Sequence, residues 1–225
     1  MMKKFAIRIK NIIGYMVIAC LLFATACNNN NNKAQETDTT TTGTIDISVD
    51  ESYKPIIDEE IKVFESSFPN AKIIAHYKSE ADCFKDILND SATRMVIATR
   101  RLNDKEEENF KHNIGFVPFW NEVASDAIVV VVNAKSNDTL FTRDRLKQQL
   151  SGALGKKQTF IFDGLNATSI VRFAIDSILK GNKFDSTIVK AAKGSQAVLD
   201  YVASDENAIG FVGISWIGNP KIRHR

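Results

Sequence analysis

Residues Asp163 to Arg172 read DGLNATSIVR. They follow the short apolar run Thr159–Phe162, which has the length and composition of a strand, and they lead into Ser169–Leu179, whose apolar residues recur at helical spacing. Asn166, Thr168 and Ser169 stand where that helix begins, the position at which small polar side chains accept hydrogen bonds from the first unpaired N–H groups of a helix. A strand that passes through a brief polar turn into a helix is the repeating unit of a parallel sheet, and the rest of the chain repeats it.

Upstream, Thr44–Val49 alternates as a strand, and Asp50 caps a helix over Ile56–Glu65. Strand Lys72–His76, helix Glu80–Leu88 and strand Met95–Ala98 follow, and Asn103–Glu107 starts a very polar helix. Gly115–Trp120 and Ala127–Asn133 are apolar segments on either side of a polar break. The second is apolar throughout, as a strand covered on both faces would be. Helix Thr142–Leu150 precedes the opening stretch. Strand Thr187–Ala191, helix Ser195–Ser204 and strand Ala208–Val212 come after it. This alternation predicts an α/β protein with mostly parallel sheets.

The chain has 225 residues, 44% of them hydrophobic, enough for a well-buried core. Its first 26 residues are a class apart. They hold Lys3, Lys4, Arg8 and Lys10, no acidic residue, and an apolar run from Ile12 to Ala26 that is too short to span a bilayer. Charge, length and order are those of a signal peptide. The run ends in Phe23-Ala24-Thr25-Ala26-Cys27, which resembles a bacterial lipobox with Ala24 where Leu is usual, so Cys27 is the expected site of lipid attachment. Residues 27–43, rich in Asn and Thr, have almost nothing apolar to bury and read as a flexible polar tether.

With the leader removed and Cys27 lipidated, Cys83 is the remaining thiol, which excludes an internal disulfide and reads as a small core residue. The 29 basic and 27 acidic residues become 25 and 27 without the leader, a net of −2 with no footprint for nucleic acid. Gly213-Ile214-Ser215-Trp216-Ile217-Gly218 has one residue too many for a nucleophile elbow. Gly152-Ala153-Leu154-Gly155-Lys156-Lys157 has the wrong glycine spacing for a phosphate loop. His76, His112 and His224 lie apart, with no metal-ligand or triad spacing. No enzyme, metal or cofactor is therefore expected.

The remaining polar features sit at four strand-to-helix junctions, residues 48–53, 78–80, 99–101 and 166–169, with Ser52-Tyr53, Ser79, Thr99-Arg100 and Asn166-Ala167-Thr168 the candidate ligand residues. Each alone is a helix cap. Together, at the carboxyl ends of strands in an open α/β sheet, they are equipment for holding an oxyanion.

From Thr44 to Pro220 the chain resembles the substrate-binding lipoproteins of bacterial phosphate ABC transporters. The likeness rests on ISVDESYKPIIDEEIKVFESSFPNAKI (47–73), MVIATRRLNDKEE (95–107), DGLNATSIVRF (163–173) and AIGFVGISWIGNP (208–220). The resemblance implies a two-lobed periplasmic-binding-protein-like fold, with lobe one from residues 44–125 plus 208–225 and lobe two from 126–207. It also implies capture of phosphate or a similar oxyanion between the lobes by a monomer, for delivery to a transporter permease. Ser52 and Tyr53 fall on the family's first contact, Ser79 on its second, and Asn166-Ala167-Thr168 on its Ser-Gly-Thr.

Two departures stand out. The family's aspartate, which accepts a proton from hydrogen phosphate, is replaced by Arg100, so Arg100 is expected to donate to the anion directly and sulfate is expected to be tolerated. The arginine before the later motif is missing, with Phe162 near its place. These replacements keep a second reading open, a sensor or scaffolding surface lipoprotein that has the fold without the ligand. The family's further strands and helices after this point also imply a truncated lobe one with an apolar face exposed near Trp216.

Overall fold

The computed structural model describes residues 38–155 and 158–218, so Cys27, the leader and most of the tether lie outside the described residues. From Thr40 onward the described chain forms one compact unit. Its elements are β1 (Gly43–Asp50), a 3-10 turn (Glu51–Tyr53), α1 (Lys54–Ser67), β2 (Ala71–Lys78), α2 (Glu80–Asn89), β3 (Thr93–Ile97) and α3 (Asp104–Ile114). After a long connection come β4 (Ile128–Val132), α4 (Arg143–Leu150), β5 (Thr159–Phe162), α5 (Ser169–Phe173), β6 (Val189–Ala191), α6 (Ser195–Ser204), β7 (Ala208–Gly213) and α7 (Ile214–Gly218). A π-helical turn over Ala174–Ile178 extends α5.

Local chemistry explains the helix starts. Ser79 caps α2, Thr142 caps α4 and Thr168 caps α5, each through its side-chain oxygen. Asn103 and Glu106 form a reciprocal capping box on α3, which ends at Gly115 in the left-handed region with φ +83°.

Two sheets result. The first has the order β2-β1-β3, with both pairings parallel. The second has the order β4-β7-β5-β6; β5 pairs parallel with β6 and β7, while β4 runs antiparallel to β7. This corrects one expectation. The strand at 208–212 does not return to the first sheet but lies inside the second, between β4 and β5. The physical reason is its composition. All six residues of β7 are buried, and a strand with no solvent face needs a partner on each edge and packing on both sides.

One face of the second sheet joins Phe160, Phe162, Phe211 and Ile209 to Ile170, Val171, Ala174 and Leu179 of the α5 region. Phe162 stacks on Phe211 with centroids 4.5 Å apart and planes 5° apart. The opposite face packs Ile161 and Val212 against Val198 and Val202 of α6, with Gly210 letting the helix approach. Trp216 belongs to this second cluster and is 6% exposed, so among the described residues it is part of the core rather than of an exposed apolar face, although Ile214 two residues earlier is half exposed. Exposed apolar side chains collect instead between α3 and β4, where Phe119 is 92% exposed and Trp120 and Val123 also face solvent.

Cys83 is fully buried, and burial pushes its thiol up to about 12. That is the inert core cysteine its sequence context suggests. Among the described residues no helix is long and apolar enough to cross a membrane.

Candidate functional site

The carboxyl ends of β1, β2, β3 and β5 each deliver a polar residue to the junction of the two sheets. Asp50 closes β1, is 1% exposed, and accepts a hydrogen bond from Ser52 N at 3.0 Å through Oδ1. Its other oxygen, Oδ2, is buried with no hydrogen-bond partner. The same holds for Ser52 Oγ, one turn on, and for Ser169 Oγ at the start of α5. Burial pushes the Asp50 carboxyl above its ordinary value. The Ser169 and Ser52 side chains stand near enough to oppose that rise.

Glu51 reaches across to the second sheet. It accepts from Ser195 N at 3.1 Å and from Ser195 Oγ at 2.8 Å, capping α6 from outside its own segment. Gly194 makes the approach possible, because its φ of +86° suits glycine and a Cβ there would lie 3.0 Å from Glu51 Oε1. Burial raises the Glu51 carboxyl despite these bonds. Asp163, at the end of β5, accepts from Thr168 Oγ1 at 2.7 Å. Burial first, then the neighbouring Asp50 and Glu51, lift its pKa to about 7.

A cleft of about 220 Å³ opens beside this group, lined by Glu80, Arg100, Asn166, Ala167, Thr168 and Arg172 among others. Glu80 is the first residue of α2 and is 3% exposed. Arg172 Nε donates to Glu80 Oε2 at 2.7 Å and Arg172 Nη2 to Oε1 at 3.2 Å, while the Thr99 hydroxyl also donates to Oε1. Arg172 Nη2 in turn lies 2.6 Å from Thr99 Oγ1. Burial works against the Glu80 charge, but Arg172 and Thr99 outweigh it and hold the carboxyl below its usual range. The backbone N–H of Ala81 donates to Ala167 O at 3.1 Å, a second tie across the cleft.

The structure therefore brings Arg100, Asn166, Ala167 and Thr168 to one cleft, with Thr99 joined to it through Arg172. Ser79 is occupied as the α2 cap, accepting from Asp82 N at 3.3 Å and donating to Asp82 Oδ2 at 2.7 Å. Ser52 is buried beside Asp50, away from the cleft lining. Burial first, then the Asp126, Asp50 and Glu80 carboxyls, raise the Tyr53 phenol above its ordinary value against Arg172, so it stays neutral. Arg100 does not present an open guanidinium. Its Nη1 and Nη2 donate to Glu106 at 2.7 and 2.8 Å, its Nη1 also to Arg101 O at 2.8 Å, and its plane lies 4.1 Å above Phe84. Among the described residues no cluster of His, Cys, Asp or Glu could hold a metal ion.

Sequence reasoning placed Asp50, Glu80 and Ser169 at strand-to-helix junctions without choosing them as ligand residues, and passed over Arg172 and Asp163. Arg172 carried a signal, because it stands four residues after Thr168 and so on the same helical face as that cap. It supplies a guanidinium where none precedes the motif. Glu80 carried none beyond its place in a first helical turn, where an acidic residue is ordinary.

The model of the PBP superfamily domain matches residues 34–223. No curated protein sequence matches the chain significantly. Among solved structures, a putative phosphate ABC transporter substrate-binding protein from Clostridium perfringens, determined with bound phosphate, superposes with a TM-score of 0.63 at 18% identity. That match covers 77% of this chain and 72% of the other. A single-substitution variant of the OxyR2 regulatory domain from Vibrio vulnificus superposes with a TM-score of 0.57 at 11% identity, covering 83% of this chain and 80% of the other. A match over most of the chain's length, the α/β architecture with mostly parallel sheets, and polar side chains gathered at the carboxyl ends of the strands agree: the chain belongs to the PBP superfamily.

Proposed function

We propose that this chain is an extracytoplasmic solute-binding lipoprotein, anchored through Cys27, that captures phosphate or a similar oxyanion and passes it to an ABC transporter permease. The observation that carries the reading is the set of unsatisfied buried atoms Asp50 Oδ2, Ser52 Oγ and Ser169 Oγ. One is an acceptor and two are donors, which suits an oxyanion that keeps a proton. The hydroxyls would donate to its oxygens and Asp50 would accept from its O–H, with Arg172 contributing only its Nη1 edge, since Glu80 holds Nε and Nη2. Asp50 thereby provides the carboxylate whose loss at Arg100 suggested tolerance of sulfate.

Capture without chemistry needs donors fixed in advance and a site closed to water, and the cross-sheet ties Glu51–Ser195, Glu80–Arg172 and Ala81–Ala167 hold the two halves in register. Titration calorimetry of the soluble body with phosphate is the test. Micromolar or tighter binding is expected. Absence of heat across a pH series would refute capture and leave the sensor or scaffolding reading.

A further inference from the structure

The donors around Glu80 form a receptor whose guest is part of the chain. Two N–H groups of Arg172, the Thr99 hydroxyl and Arg100 Nε, 3.5 Å from Oε2, converge on one buried carboxylate. A guanidinium fork with a hydroxyl beside it is the arrangement that recognises carboxylate, phosphate or sulfate oxygens. The surroundings leave little positive charge over. Glu106 takes the far edge of Arg100, Asp176 Oδ2 lies 3.9 Å from Arg172 Nη1, and Asp50 at the end of β1 stands within the electrostatic reach of Glu80. A solute entering the cleft meets cations that already have a partner, and a carboxylate it cannot neutralise.

We infer that Glu80 is a resident anion: its carboxylate fills the Arg172–Thr99–Arg100 receptor in place of one solute charge and so limits the cleft to singly charged oxyanions. The inference rests on the oxyanion reading of this site and names the charge class it accepts. Because its hydrogen bonds keep Glu80 below the usual carboxyl range, the resident charge persists through neutral pH. A dianion beside it experiences like-charge repulsion in a partly desolvated cleft, which discriminates strongly between charge states.

The test is Glu80→Gln, since glutamine keeps an acceptor oxygen for Arg172 and Thr99 but removes the charge. Calorimetry with sulfate and with phosphate is run on the wild-type chain and the variant. The variant should bind sulfate at least about tenfold more tightly than the wild type. Sulfate affinity unchanged or weakened would overturn the inference and make Glu80 a residue that only orients Arg172. Wild-type binding of phosphate with no gain in the variant refutes the resident anion alone. Silence from both chains refutes it together with the capture reading. A silent wild type beside a binding variant supports the resident anion against the capture reading. If the variant is unfolded in chloride buffer, sulfate should restore its cooperative melting by refilling the receptor. Failure of sulfate to do so would overturn the inference.

Discussion

The substitution Asp163→Asn removes a buried carboxyl whose pKa stands at about 7 in the folded protein against an ordinary 3.8. The folded state therefore holds a proton that the unfolded state releases between these two values, so stability falls as pH rises through that window and the loss is complete above the folded pKa. The full difference, about 3 pH units at ~1.36 kcal/mol each, is roughly 4 kcal/mol at most. Between pH 5 and pH 8 the part still to be lost is about 2–3 kcal/mol.

The introduced amide keeps an acceptor for the Thr168 hydroxyl, so the loop bond at 2.7 Å survives the change while the titration disappears. Urea unfolding followed by circular dichroism should show the variant gaining on the wild type by about 2–3 kcal/mol from pH 5 to pH 8, within a total stability of about 5–15 kcal/mol. A residual slope of the same sign should remain in the variant, because burial also raises Asp50 and Glu51. Parallel pH profiles for the two chains would refute the reasoning, since they would mean that Asp163 ionises alike folded and unfolded.

Ser169→Ala separates binding from stability. Its hydroxyl has no close partner apart from the neighbouring Asp50 carboxyl, so removal should change the melting temperature little while weakening phosphate by about tenfold, read by calorimetry and thermal melting on one preparation. Arg172→Ala should weaken phosphate binding more than Arg100→Ala, because Glu106 already occupies the two Nη groups of Arg100; the reverse order would assign the anion to Arg100. Phe162→Ala should cost about 3–5 kcal/mol of stability through loss of the stack on Phe211, checked by urea unfolding. Intact mass of the membrane-extracted protein should show loss of residues 1–26 and an acyl addition at Cys27, and a retained leader would refute lipidation there.

Much of the local structure was legible because it depends on neighbours in sequence. Thr168, Asn103 and Thr142 announce helix starts through bonds spanning three residues, and Ile128–Val132 announces a strand through its unbroken apolar run, although it lies half-buried at the edge of its sheet rather than covered on both faces. The Asn166-Ala167-Thr168 turn and Arg100 were found for the same reason, as polar punctuation between periodic segments. Glu80 and Arg172 were not, because their bond closes over 92 residues and neither side chain is unusual where it stands. Arg100 was read as an open donor since nothing local says whether Glu106, one helical turn into the next element, will take its guanidinium.

The amino-acid sequence by itself determined the alternation of strands and helices, the caps, and the gathering of polar residues at strand ends, because period and capping are properties of short windows. The assignment of β7 to the second sheet, the closure of Arg172 and Thr99 on Glu80, and the burial of Asp50 beside Asp163 were decided only by the tertiary structure. Apolar composition says that a strand is covered without saying by which partners. A carboxyl's charge state depends on desolvation and on neighbours brought from distant segments, and both arise only when the sheets pack.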